Sequence, residues 1–177
     1  MNHNVFIAGY GGQGVLLAGN LLAAAGMLEG YEACYFPAYG VEKRGGAATC
    51  TVTIADGAIG SPVIGQPQAA LLLNQGACDL YFGKVAPHGF CLLNGSLAKP
   101  AVSRNDLQPL ALPLNDLAMQ LGDIRLVNMI AVGVYARRTG SIRMDSLKGA
   151  LARVLPERSH RLIPLNIRAL EMGAAAC

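Results

Sequence analysis

The run Gly9-Tyr10-Gly11-Gly12-Gln13-Gly14 contains the Gly-x-Gly-x-x-Gly spacing that carries a chain sharply from a strand into a helix. Exposed backbone N–H groups at such a helix start attract anions, phosphate above all. The context fits: Val5 to Ala8 is a short apolar, β-prone run, and Val15 to Leu28 reads as a helix apolar almost all round. A dinucleotide site would also want an acidic side chain near the end of the second strand, to hold the ribose hydroxyls. That stretch is Tyr35-Phe36-Pro37-Ala38, and Glu32 falls at the strand's beginning, which weakens a reading as an NAD site. The competing explanation is that the glycines serve only close helix–strand packing.

A second constellation is Tyr39-Gly40-Val41-Glu42-Lys43-Arg44-Gly45-Gly46. It is a charged loop leaving the carboxyl end of a strand, the edge where open α/β sheets bind ligands and partners. Gly40, Gly45 and Gly46 permit close backbone approach, Arg44 offers a planar fork for phosphate or carboxylate, and Glu42 is placed to orient Arg44. A plain solvated loop is the alternative. The remaining candidates carry less. His3, His88 and His160 are scattered with no i, i+4 pair, Ser61 lies in a Ser-Pro turn rather than a nucleophile elbow, and the methionines read as core or interface filler.

The elements that must position these residues follow from periodicity and turn signals. Gly30 ends the first helix, and Tyr31 to Phe36 is a second strand closed by Pro37, so the first 36 residues read as a βαβ unit. Ala47 to Ala55 alternates Thr49, Thr51 and Thr53 with Cys50, Val52 and Ile54, the period of a strand. Ala69 to Leu73 is a buried strand, Gly76 to Val85 a short helix, and Phe90 to Leu93 and Leu110 to Leu112 are further strands. From about Asn115 the pattern becomes helical: Leu117 to Leu121, Val127 to Arg137, Leu147 to Leu155 and Ile163 to Met172, with Pro156 and Pro164 as boundaries and a frayed end from Ala174. The expectation is a single domain over residues 1–177: an α/β, Rossmann-like layered fold with a mostly parallel sheet and additional C-terminal helices.

Composition bounds the rest. Of 177 residues, 53% are hydrophobic and only 14% charged, where an ordinary soluble domain carries roughly 25% charged residues. Such a chain suits a large buried partner surface. The first hundred residues hold four basic and five acidic side chains, and the remainder ten and six, so the net +3 divides into −1 and +4; the basic remainder reads as a docking face or as Arg residues solvating the outer sides of the C-terminal helices. No Trp is present and the aromatics are not interleaved with basic residues, which argues against a nucleic-acid surface. Cys34, Cys50, Cys78, Cys91 and Cys177 contain no Cys-x-x-Cys pair, so neither a zinc site nor a ferredoxin-type cluster can be read from them. No apolar run reaches 18 residues and the start lacks a basic n-region; the expectation is a cytoplasmic protein with no membrane association.

Taken together, Gly9 to Val15 with its alanine-rich helix, Tyr39-Gly40-x-Glu42-x-Arg44-Gly45-Gly46, the threonine-rich strand and Ile59-x-Ser61-Pro62 resemble the γ subunit of 2-oxoacid:ferredoxin oxidoreductases, over roughly residues 4 to 137. Leu71-Leu72-Leu73-Asn74 and Asn128 ahead of Gly133 also suit that family; Gln68 departs from it, because many members carry an acidic residue there. The resemblance implies a multi-subunit enzyme that decarboxylates a 2-oxoacid, 2-oxoglutarate first and pyruvate, branched-chain oxoacid or indolepyruvate next. It forms an acyl-CoA and passes electrons to ferredoxin. It further implies that thiamine diphosphate, Mg and the iron–sulfur clusters sit in α, β and ferredoxin-like δ subunits. This chain would then have no catalytic residue or metal of its own, and its glycine loop and Arg44 would meet either coenzyme A, as an anion, or a neighbouring subunit. A self-sufficient nucleotide-binding oxidoreductase and a purely structural assembly subunit are the alternatives.

Overall fold

The computed structural model describes residues 2–39, 46–107 and 109–177, Tyr39 by its backbone alone. Six strands form one sheet: β1 (Asn2–Tyr10), β2 (Glu32–Tyr39), β3 (Ala47–Ala55), β4 (Ala69–Leu72), β5 (Phe90–Asn94) and β6 (Leu110–Leu112). Their spatial order is β2-β3-β1-β4-β5-β6. The run from β1 through β4 and β5 to β6 is parallel, whereas β3 lies antiparallel to both β1 and β2. Five strands therefore point one way, as expected of a mostly parallel sheet.

The helices are α1 (Val15–Leu28), α2 (Gln75–Tyr81), α3 (Leu114–Gln120), α4 (Val127–Thr139), α5 (Met144–Val154) and α6 (Ile163–Ala175). α1 leaves β1 to cover one face of the sheet, where Val5, Ile7, Cys50, Val52, Ile54 and Leu71 meet the apolar sides of α1 and of the four C-terminal helices. That double demand explains why α1 and α4 are apolar nearly all round: each touches the sheet on one side and another helix on the other. The crossing of α4 and α6 is unusually close. A Cβ at Gly133 would stand 2.0 Å from the Leu170 carbonyl oxygen, and one at Gly173 2.0 Å from that of Ile130. The opposite face is covered more thinly, by α2 and its loop over Ala70, Leu72, Cys91 and Leu93.

Several boundaries differ from expectation. The βαβ unit is split: β3 is inserted between β1 and β2, so the crossover strands run parallel without touching. Pro37 does not close β2, which continues to Tyr39, because β2 is an edge strand and a missing N–H there leaves the ladder intact. β1 starts at Asn2 and ends at Tyr10, since pairing with β3 along its whole length sustains the polar ends that β4, paired only with Val5 to Ala8, does not reach. α3 begins at Leu114, ahead of the expected Leu117, and α6 runs to Ala175, so Ala174 is helical. Gln68 and Asn4 clamp β1 to the approach to β4 reciprocally: the Asn4 N–H donates to Gln68 Oε1 at 3.0 Å and the Gln68 N–H to Asn4 Oδ1 at 2.8 Å.

Candidate functional site

The carboxyl ends of β1, β4, β5 and β6 share one edge of the sheet. α1 leaves β1 toward one face, α2 leaves β4 toward the other, and between adjacent strands of that kind a crevice must open. The glycine turn stands at its mouth. Positive φ falls on Gly12 (107°) and Gly14 (72°), the latter capping α1. Gly9 is required for space, because a Cβ there would lie 2.5 Å from Gln13 Oε1. The Gly11 N–H donates to the Gly46 carbonyl at 2.9 Å, which joins the first glycine motif to the last residue of the second.

Gln13, buried, fastens the turn with its side-chain amide. Its Oε1 accepts from the Tyr10 N–H at 3.0 Å and from Asn74 Nδ2 at 3.3 Å, while its Nε2 donates to the Leu73 carbonyl at 3.0 Å. The same Leu73 carbonyl accepts from Asn94 Nδ2 at 3.1 Å, and Asn94 Nδ2 also donates to Asn115 Oδ1 at 2.9 Å. On the other side Asn128 Nδ2 donates to the Gly14 carbonyl at 3.1 Å. Gln13, Asn74, Asn94, Asn115 and Asn128 thus form a frame of neutral amides across the carboxyl edge. Asn94 and Asn115 carry no pattern in the sequence; the usable signal was a polar amide closing an otherwise apolar strand, as Asn94 closes Phe90 to Leu93.

The frame leaves the start of α1 without a side-chain cap and without an acidic residue in its first turn. Carbonyls of that turn are occupied, Val15 by the Cys50 thiol at 3.4 Å and Leu16 by the Tyr35 hydroxyl at 3.1 Å. An uncapped helix start with a left-handed glycine cap offers its N–H dipoles to an anion. Beside the turn lies a cavity of about 410 Å³ lined by Gly9, Tyr10, Thr49, Asn74, Gly76 and Leu80. Its α2 wall is fixed by Phe6 packing on Tyr81 at 4.6 Å between ring centroids.

Of the second constellation, Tyr39 pairs with Ala48 at the end of β2, and Ala48 pairs with Gly9 of β1. Gly40, Glu42, Arg44 and Gly45 lie outside the described residues, but Tyr39 and Gly46 on either side of them both border the glycine turn. The end of β2 that faces the turn carries no acidic side chain among the described residues; Glu32, its first residue, pairs with Ala55 at the opposite edge. Nor do the cysteines fit a metal or cluster. Cys50, Cys78 and Cys91 are buried, burial pushes the Cys50 and Cys91 thiols up to about 12, and no three metal-ligating side chains converge among the described residues. No helix of the described residues is long and apolar enough to cross a membrane.

Comparison with known proteins agrees with this architecture. The chain matches the Pyruvate ferredoxin/flavodoxin oxidoreductase family over residues 4–176, further toward the C-terminus than the motifs alone reach. It is 34% identical over 171 residues to the ketoisovalerate oxidoreductase subunit VorA of Methanothermobacter thermautotrophicus, covering 96% of this chain and 35% of that one. This chain therefore spans about a third of the length of that relative. It is 29% identical over 160 residues to the 2-oxoglutarate synthase subunit KorC of Methanocaldococcus jannaschii, covering 89% of this chain and 86% of the other. The keto/oxoacid ferredoxin oxidoreductase γ subunit of Geobacter sulfurreducens superposes with a TM-score of 0.84 at 29% identity, over 99% of this chain and 95% of that one. The glycine turn, its partner motif and the split βαβ sheet thus belong to a member of the pyruvate ferredoxin/flavodoxin oxidoreductase family, of the γ-subunit type.

Proposed function

We propose that this chain is the γ subunit of a heteromeric 2-oxoacid:ferredoxin oxidoreductase and forms one wall of its acyl-CoA-forming chamber. The observation that carries the reading is the uncapped start of α1 at the crevice where the sheet's connections reverse, braced by Gln13 and hydrogen-bonded through the Gly11 N–H to Gly46. Its N–H dipoles and the Arg44 guanidinium suit the phosphates of coenzyme A, and the adjoining cavity beside Tyr10 and Leu80 accepts a less polar portion of the same ligand. On this reading thiamine diphosphate with Mg would supply carbanion stabilisation and iron–sulfur clusters would carry the electrons to ferredoxin, both held by α, β and δ partners; no three metal-ligating side chains converge among the described residues of this chain. Within the oxoacids, 2-oxoglutarate and a branched-chain oxoacid are the two candidates, supported by the KorC and VorA relatives respectively. A cytoplasmic enzyme follows from the same reading.

The test is co-expression with the larger subunits, then viologen reduction with 2-oxoglutarate, 3-methyl-2-oxobutanoate and pyruvate in turn, with and without coenzyme A. Activity should need the full complex and coenzyme A. Arg44→Ala should raise the KM for coenzyme A at least tenfold while assembly, read by gel filtration, is unchanged. An assembled Arg44→Ala enzyme with normal coenzyme A kinetics would remove that ligand from the loop.

A further inference from the structure

At the opposite edge of the sheet, where β1 and β5 begin, two depressions of about 360 and 370 Å³ share His88, Gly89, Phe90 and Arg138 and form one continuous basin. His3 borders it on β1 and Asp106 on the loop that follows β5. His3 and Tyr10 stand seven residues apart on one strand, so the basin lies about 20 Å from the glycine turn. We propose that this basin is a second binding site, for a small oxyanion, phosphate or carboxylate, held by Arg138, His88 and His3.

The backbone at His88 is the first argument. The Gly89 N–H donates to the Ala86 carbonyl at 2.9 Å, closing a tight turn with Pro87 and His88 at its corners, and His88 has φ 61°, the single positive φ outside glycine among the described residues. Glycine or asparagine is the usual occupant of such a corner; a larger side chain costs about 1 kcal/mol there. Nothing in the packing explains the choice, because the His88 side chain is exposed at the basin rather than wedged into the core.

Charge is the second argument. Arg138, in the last turn of α4, makes no ion pair with any described residue and borders both depressions. Asp106, the acidic group of the basin, is already matched: Arg104 grips its carboxylate with Nε and Nη2, and Arg104 is tied to the Val85 carbonyl at 2.6 Å. Asp106 also feels the His88 side chain across the basin, so the charge left without an ion-pair partner among the described residues is that of Arg138. His3 adds a neutral donor. Burial holds its pKa below the ordinary value, and Tyr135, whose phenol burial pushes up to about 12, lies 2.8 Å from His3 Nδ1. With the phenol donating to Nδ1, the imidazole proton sits on Nε2. A guanidinium and two imidazoles that line one depression can each donate to a tetrahedral or planar oxyanion, and the depression has ample room for one.

The full chain, labelled for observation of histidine ring protons by NMR, is titrated separately with inorganic phosphate, succinate and chloride at constant ionic strength. The expected result is a saturable shift of the His3 and His88 resonances with phosphate, succinate or both, and none with chloride; the responding anion names the occupant. Arg138→Ala, on the surface, should weaken binding at least tenfold. His88→Gly, which relaxes the turn, should weaken it at least fivefold while the melting temperature holds or rises. The proposal is overturned if neither oxyanion gives a saturable shift beyond chloride, or if both variants bind like the parent. None of these readouts depends on the larger subunits, so a negative result leaves the glycine-turn reading standing.

Discussion

The two edges of this sheet are held by different chemistry. The carboxyl edge is tied by neutral amides, with Gln13 at their centre, whereas the amino edge carries the Arg104–Asp106 ion pair and three more cationic or titratable side chains, the strained His88 among them. A frame of neutral hydrogen bonds holds its geometry across pH and salt, so the dipoles of the glycine turn stay fixed. A frame built on ionised groups changes with both. The difference tells which substitutions should act on the turn whatever the conditions, and which should act only in a pH window.

The largest effect is expected at Gly14. Alanine there must hold φ near 72° and place a Cβ 2.3 Å from Asn128 Nδ2, so Asn128 has to swing away from the Gly14 carbonyl. Backbone strain and a lost buried hydrogen bond together give about 3 kcal/mol, measured as the change in urea unfolding free energy. The loss should be equal at pH 5.5 and pH 8; a pH-dependent loss would mean that charge also holds this edge.

Next comes Gln13→Leu, which keeps the volume and removes both ends of the amide. The Leu73 carbonyl retains Asn94 as a donor, but the Tyr10 N–H loses its acceptor, so about 2 kcal/mol is expected. Hydrogen exchange at Tyr10 and at Gly11, whose N–H is bound to Gly46, should accelerate while the amides of α4 stay protected. Equal acceleration everywhere would show that the amide frame is part of the global core.

Gly12→Ala separates conformation from crowding at the same turn. Among the described residues outside its chain neighbours, nothing lies within 4 Å of a Cβ at Gly12, so φ 107° is what opposes alanine, and about 1 kcal/mol is expected by the same unfolding measurement. The sequence distinguished these positions poorly. The spacing rule singles out Gly9, Gly11 and Gly14, yet the left-handed conformation falls on Gly12 and Gly14, and Gly11 matters for its N–H. Strands and helices were legible almost to the residue where one element buries both its sides, as in α1 and β3, because burial there writes a continuous pattern. What was not legible is long-range. The insertion of β3 between β1 and β2 leaves no local trace, since Pro37 signals a strand end in a buried sheet and is harmless at an edge. The Asn94 amide meets the Leu73 carbonyl 21 residues before it and the Asn115 side chain 21 residues after it, and neither residue type nor spacing announces that.

The smallest effect belongs to the amino edge and changes with pH. Arg104 holds the Asp106 carboxyl below its ordinary pKa, first by hydrogen bonding and then by charge, so the folded state favours the ionised form. A carboxylate whose folded pKa is depressed contributes stability above its unfolded pKa, near 4, and that contribution is lost as pH falls through the lower folded value. Unfolding midpoints of the parent should therefore drop between pH 5 and pH 3 by more than those of Asp106→Asn, and above pH 6 the two proteins should differ only slightly, because the pair is partly exposed to water. The Arg104 bonds to the Val85 and Phe82 carbonyls survive in the variant, so the loop stays in place and the comparison isolates the charge. Identical acid profiles for the two proteins would mean that the ion pair is ornamental, and that the amino edge, like the carboxyl edge, rests on uncharged contacts.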